Sequence, residues 1–328
     1  VASSSKGHQD ITGVETPEAA DADVEAYRSG RVASPVPLST GHDTYRLPAP
    51  LVTARRLDVC RRSFPRFVRD RASAPTAQFI EKLRGGELVI GTFVNLGSPT
   101  VTNALGMAGL DFLLVDLEHG AGGEAGLQPQ LMAAEASGAA VMVRVESHER
   151  IRIGRALDLG ATAIMLPRID TVAETREAFT HLRYPPLGDR GVSTANLARR
   201  WGTRPGPFAD ANGDIAGIVQ IETLSALEEV EGIAALEGVD ALFVGPSDLT
   251  HALGVPGDLE SPAFNEALTR VLAACRRSGV PAGILASGPE QALRFVDQGF
   301  SLLVVGSDAG LLISAARSVV DVMRPPEG

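Results

Sequence analysis

From residue 77 onward the chain alternates short apolar, β-branched runs with longer segments of helical spacing. The runs are Leu88 to Val94, Phe112 to Val115, Val141 to Val145, Ala163 to Leu166, Ile218 to Ile221, Ala241 to Val244, Pro281 to Leu285 and Leu302 to Val305. Almost every position in them is apolar, as expected of strands covered on both faces. The spacing between them predicts helices over 101–107, 127–136, 151–157, 172–182 and 264–277. Eight buried-type strands alternating with helices predict an α/β fold, the (β/α)8 TIM barrel. A doubly wound open sheet would more often place a glycine-rich phosphate loop after its first strand, and FVNLGSPT is not one.

Residues 1–76 break this pattern. They are rich in Ala, Ser, Thr, Pro and Asp and show little apolar periodicity before Phe64 to Val68. The expected organisation is an N-terminal extension, flexible or loosely docked, followed by a barrel domain over 77–328. An over-long start and a segment that packs on the barrel or a neighbouring subunit are both compatible with this composition.

With 328 residues and 44% hydrophobic content, the chain can bury one large core. Its formal net charge of -10 argues against nucleic acid and anionic membrane as partners. No stretch approaches the roughly 18 apolar residues of a bilayer span, and the N-terminus lacks the basic start and apolar core of a secretory signal. A cytoplasmic location is the expectation. Cys60 and Cys275 lie too far apart for a CxxC pair and suit a reducing compartment, with Cys275 packed in an apolar helix.

In a barrel the chemistry sits at the C-terminal ends of the strands. There the chain carries Asp116, Glu118 and His119 after strand two, Arg144 within strand three and Asp170 after strand four. Gln220 and Glu222 end strand five, and Ser247 and Asp248 follow strand six. Lysine occurs only at Lys6 and Lys82, so the apparent barrel offers no Schiff-base lysine, and a divalent metal is the favoured electron sink. Glu222 and Asp248 are the candidate ligands: two carboxylates on adjacent strand ends can hold a hard ion such as Mg2+ or Mn2+, with Co2+ as a further candidate. The alternative for Asp248 is a helix cap. Arg144 has the fork geometry to grip a carboxylate, or else forms an internal pair with Asp116 or Glu118. His119 is a candidate general base, its tautomer set by Asp170 or Asp116. His148, His181 and His251 read as surface or capping residues. The polar segment Leu187 to Trp201, with Arg190, Arg199 and Arg200, reads as an active-site loop or a solvated basic patch.

The strings VDLEHG, MVRV, MLPRIDT, YPPLGDRGVS, VQIET, VGPSDL and GILA, in order from about residue 77 to 320, resemble the HpcH/HpaI aldolase family of metal-dependent class II aldolases. The resemblance implies metal ligation by Glu222 and Asp248, substrate binding by Gln220, Arg144 and backbone around Ser247, and proton transfer by His119. It also implies an acid at Asp170 paired with that histidine, in relatives sometimes from a neighbouring subunit. A homo-oligomer, trimer or hexamer, with an exchanged C-terminal helix is implied too. Glu146 departs from the pattern, standing where proline is frequent.

Together these expectations describe an enzyme that cleaves or forms 4-hydroxy-2-oxo acids from pyruvate or a related 2-oxo acid and an aldehyde, with Arg144 stabilising the enolate. The alternatives are an acyl-CoA-using relative of the citryl- or malyl-CoA lyase or citrate synthase type, for which Arg199 and Arg200 could meet CoA phosphates, and a non-catalytic scaffold.

Overall fold

The computed structural model describes residues 74–324. Eight parallel strands close into a barrel in chain order: β1 (Val89–Val94), β2 (Phe112–Asp116), β3 (Ala140–Arg144), β4 (Ala163–Leu166), β5 (Ala216–Ile221), β6 (Ala241–Val244), β7 (Ala282–Ala286) and β8 (Leu302–Ser307). Helix α1 (Ala74–Arg84) precedes the barrel. The helices that follow are α2 (Pro99–Gly106), α3 (Glu124–Ser137), α4 (Arg150–Asp158), α5 (Val172–Leu182), α6 (Leu224–Glu228), α7 (Val230–Ala234), α8 (Pro246–Ala252), α9 (Pro262–Ser278), α10 (Pro289–Gln298) and α11 (Asp308–Met323). The predicted strands agree to within two residues at their ends, the helix predicted over 172–182 is found with those bounds, and the other four predicted helices are longer than expected. Thr171 and Glu174 form a reciprocal capping box on α5, and Ser261 caps α9 ahead of a proline. β5 begins earlier than expected because Ala216 and Gly217 carry no β-branched signal. A Cβ on Gly217 would lie 2.5 Å from the Phe179 ring, so glycine there lets α5 close on the sheet.

Two apolar clusters follow from the alternation of side chains along each strand. One fills the barrel with inward residues such as Phe112, Leu114, Met142, Met165, Ile218, Phe243, Leu302 and Val304. Phe79, Ile80 and Leu83 of α1 belong to it and close the N-terminal mouth, with the Phe79 and Phe112 rings 5.2 Å apart. The other lies between strands and outer helices and includes Cys275, whose thiol burial pushes up to about 12. The inward phase does not end with the apolar layers. Continuing 112–114 leads to Asp116, 140–142 to Arg144 and 216–218 to Gln220, so a polar layer sits on the apolar core at the C-terminal mouth.

Lys82 lies on α1 and pairs with Asp111 at 2.8 Å, at the opposite mouth from that layer. Among the described residues no helix is long and apolar enough to cross a membrane. The extension over 1–76 lies almost wholly outside the described residues, as do Lys6 and Cys60.

Candidate active site

The C-terminal mouth opens into a cavity of about 650 Å³. Phe93, Asn95, His119, Arg144, Gln220, Ser247 and Asp248 line it, together with residues from the ends of β7 and β8. It therefore gathers side chains from strands far apart in the chain, as a closed barrel must.

The β2–β3 register sets Asp116 directly beside Arg144. Arg144 Nε donates to Asp116 Oδ1 at 2.9 Å and Nη2 donates to Oδ2 at 2.7 Å, a forked pair with Asp116 1% exposed. Its Nη1 lies 3.2 Å from Glu118 Oε2, close enough for an ion pair but not aligned as a hydrogen bond. The guanidinium also sits 4.8 Å from the Phe93 ring centroid. The internal pair with Asp116 thus forms, and it coexists with a place on the cavity wall. Asp116 occupies only part of the five-donor fork, so Arg144 retains N–H groups for a ligand. Asp116 Oδ1 further accepts the backbone N–H groups of Glu118 and His119, at 3.1 and 3.3 Å.

Glu222 is 3% exposed and borders this layer. Its Oε1 accepts the Arg168 backbone N–H at 2.8 Å, and its Oε2 accepts from Gln220 Nε2. Arg168 lies within the MLPRIDT string, but neither motif nor periodicity signals the role of its backbone amide. It adopts φ +54°, a left-handed conformation uncommon outside glycine, and its amide meets Glu222 from that conformation. Gly245 gives way on the other side: a Cβ there would lie 2.8 Å from Gln220 Nε2 and 3.0 Å from Glu222 Oε2.

Burial pushes the Glu222 carboxyl above the usual range, and the negative charges of Glu118 and Asp248 act in the same direction. Glu118 is raised likewise, by burial first, with Asp116 and Asp248 adding to it. Asp116, Glu118, Glu222 and Asp248 are four carboxylates grouped about the single guanidinium of Arg144, a cluster short of positive charge. Asp248 lies in the first turn of α8 without capping it, and Gln220 Oε1 is buried with no hydrogen-bond partner. Hard oxygen donors in negative excess fit a divalent cation held by Glu222 and Asp248. Among the described residues no group of three or more His, Cys, Asp or Glu is placed to hold a metal ion, so the candidate ligand set is this pair of carboxylates.

Two expectations change. The His119 ring stands at the rim, 65% exposed, and its nearest carboxylate is Glu118, with Nε2 to Oε2 at 3.7 Å. Asp116 reaches only its backbone, because both Asp116 oxygens face inward to Arg144. Asp170 accepts from Thr223 Oγ1 at 2.5 Å and does not line the cavity, so within one chain the structure does not bring it to His119. The segment Leu187 to Trp201 connects α5 to β5 and therefore lies at the N-terminal mouth, away from the cavity. Arg190 pairs with Asp158 at 3.2 Å, Arg200 with Glu135 at 2.9 Å, and Arg199 donates to the carbonyls of Arg204 and Gly206. Of the two readings of this segment, an active-site loop or a solvated basic patch, the strand–helix order excludes the first, and burial of Arg190 and Arg199 limits the second.

A polar pocket on the C-terminal mouth of a closed (β/α)8 barrel defines a barrel enzyme. A family model described as HpcH/HpaI aldolase/citrate lyase matches residues 89–315. A 5-keto-4-deoxy-D-glucarate aldolase of Klebsiella pneumoniae is 39% identical over 247 residues, 75% of this chain and 96% of the relative. The crystal structure of a family protein from Burkholderia cenocepacia superposes with a TM-score of 0.73 at 37% identity, covering 75% of this chain and 99% of the other. A citrate synthase of known structure, 24% identical with a TM-score of 0.67 over 75% of this chain and 96% of its own, shares the fold. The chain belongs to the HpcH/HpaI aldolase/citrate lyase family, and it is an aldolase, a carbon–carbon lyase.

Proposed function

We propose that this enzyme is a divalent-metal-dependent aldolase that interconverts a 4-hydroxy-2-oxo acid with pyruvate, or a related 2-oxo acid, and an aldehyde. The observation that carries the reading is Arg144, locked by Asp116 and lining the same cavity as Asp248 and Gln220, with the buried Glu222 carboxylate directly behind Gln220. Glu222 and Asp248 would hold the ion, Mg2+ or Mn2+, which when bound supplies Lewis-acid stabilisation of negative charge on the 2-oxo group.

The chain's own residues account for binding and proton transfer. The spare N–H groups of Arg144 bind the carboxylate end of the substrate, assisted by Gln220 and the backbone around Ser247. Held by Asp116, the guanidinium needs no reorganisation as charge develops. His119, at the rim with Glu118 beside it, takes the proton of the C4 hydroxyl. The C3–C4 bond then breaks, its electron pair passing into the enolate of the 2-oxo acid as the aldehyde forms. Protonation at C3 completes the 2-oxo acid product. Asp170 enters this scheme only if a neighbouring subunit delivers it to His119.

A homo-oligomer, trimer or hexamer, belongs to the same proposal. From Leu311 to Met323 every residue of α11 is exposed, including Ile313 at 53%, Val319 at 64% and Val322 at 80%. An apolar helix of this kind suits exchange onto a second copy. The acyl-CoA alternative is weakened because Arg199 is buried and Arg200 does not line the cavity.

The test is hydrogen exchange at the pyruvate methyl group in D2O, followed by NMR. Exchange with Mg2+ or Mn2+ that stops with excess EDTA is expected. Absence of exchange with every ion would overturn the reading. The substrate named for the Klebsiella relative, 5-keto-4-deoxy-D-glucarate, is the first to assay for cleavage.

A further inference from the structure

The inward phase that delivers Asp116, Arg144 and Gln220 to the polar layer also runs along β1. Val89, Gly91 and Phe93 alternate inward, and the next position in phase is Asn95. Its neighbours in that layer are engaged with one another: Asp116 with Arg144, and Gln220 with Glu222. Asn95 is not. Its side chain lines the cavity and makes no hydrogen bond to any described residue, and its Oδ1 is buried without a partner.

The Asn95 backbone, by contrast, is held firmly. Its N–H donates to Asp308 Oδ1 at 2.9 Å, the next N–H, that of Leu96, donates to Asp308 Oδ2 at 3.0 Å, and its carbonyl accepts the Ala121 N–H at 2.7 Å. Asp308 is 1% exposed, so the anchor is itself fixed. A side chain presented from a locked backbone into a cavity, with its amide unused, is preorganised for a ligand group. Whichever way the amide is turned, it offers one acceptor and two donors. A hydroxyl, which both donates and accepts, satisfies it; a hydrocarbon leaves it buried and unpaired.

We propose that Asn95 is a specificity-determining residue that reads a hydroxyl group on the aldehyde half of the substrate. The inference rests on the aldolase reading above, since the carboxylate end of the substrate is assigned to Arg144. A substrate with hydrogen there in place of hydroxyl is disfavoured because it displaces water from Asn95 without replacing its hydrogen bonds.

The experiment compares kcat/KM for addition of pyruvate to glyceraldehyde and to propanal, in the wild-type chain and in Asn95→Leu and Asn95→Ala. Thermal melts confirm that each variant is folded. The wild-type enzyme is expected to favour glyceraldehyde, and both variants to lose on the order of 10- to 100-fold of that preference, through a fall on glyceraldehyde. A wild-type enzyme with no preference, or variants that keep the wild-type ratio even if both rates fall, would overturn the assignment. Pyruvate methyl exchange by the wild-type chain separates the two levels. Its absence removes the aldolase reading and this inference with it, whereas exchange with an unaltered ratio removes the inference alone.

Discussion

The two mouths of the barrel both concentrate charge, and they balance it differently. At the N-terminal mouth Arg84 donates to Asp240 and to the carbonyls of Gly213 and Ile215, Arg190 stacks on Tyr184 at 4.4 Å, and Arg199 stacks on Phe208 at 4.4 Å while donating to two carbonyls. Two buried guanidinium nitrogens there, Arg183 Nη1 and Arg190 Nε, lack acceptors, but each guanidinium meets an acid, carbonyl oxygens or a ring. At the C-terminal mouth four carboxylates share one guanidinium, and two of them are pushed above their ordinary range. Charge density alone does not mark the site. Charge that the protein leaves uncompensated does, because a bound ion and substrate can then supply what is missing.

The sharpest way to break this contrast is Glu222→Gln, which keeps the shape and removes the charge. If the acidic edge holds the cation, turnover should fall by about 10³-fold, corresponding to several kcal/mol of lost charge stabilisation. Titration calorimetry should show weaker Mn2+ binding in the same variant. Normal Mn2+ binding would take Glu222 out of the ligand set.

Arg144→Ala comes next, with an expected loss on the order of 10²- to 10³-fold in turnover. It should also destabilise the fold by about 3–5 kcal/mol, because Asp116 would remain buried without its partner. Arg144→Lys should recover little of either, since an ammonium cannot reproduce the two parallel bonds to Asp116. Unchanged turnover in Arg144→Ala would remove the residue from the mechanism.

At the opposite mouth Arg199→Ala should show the reverse behaviour. Denaturant melts should record a loss of roughly 1–3 kcal/mol from lost packing and hydrogen bonds, with turnover per folded molecule unchanged. A large fall in turnover at constant stability would instead mean that the segment around Arg199 acts in catalysis.

The smallest effect concerns pH. Glu222 has a folded-state pKa above its unfolded value, so the native chain binds its proton more tightly than the unfolded chain does. Metal-free protein should therefore lose stability as pH rises from the ordinary carboxylate range through the raised value. Calorimetry in EDTA should show a shallower loss over that window in Glu222→Gln than in the wild-type chain, and Mg2+ should restore more stability at the upper end of the window. Identical pH slopes for the two chains would contradict the burial argument.

Much of this protein is determined by sequence alone. Eight apolar runs establish the strands, because a strand covered on both faces has little room for polar residues, and the residues that end them nominate Arg144, Gln220, Glu222 and Asp248. The same period of two places Asn95 in the polar layer once the phase is followed past Phe93. Tertiary structure decided the partnerships. Strand register, not proximity in sequence, joins Arg144 to Asp116; with Asp116 so engaged, the His119 ring has its chain neighbour Glu118 as its nearest carboxylate, while Asp170 turns to Thr223. The left-handed backbone of Arg168 depends on the turn after β4 and leaves no periodic trace. The segment from Leu187 to Trp201 reads the same on either face by composition, and only the order of helix before strand assigns it to the N-terminal mouth. Periodicity is local and survives in one dimension; which charges meet depends on how the strands close, and that is a property of the whole barrel.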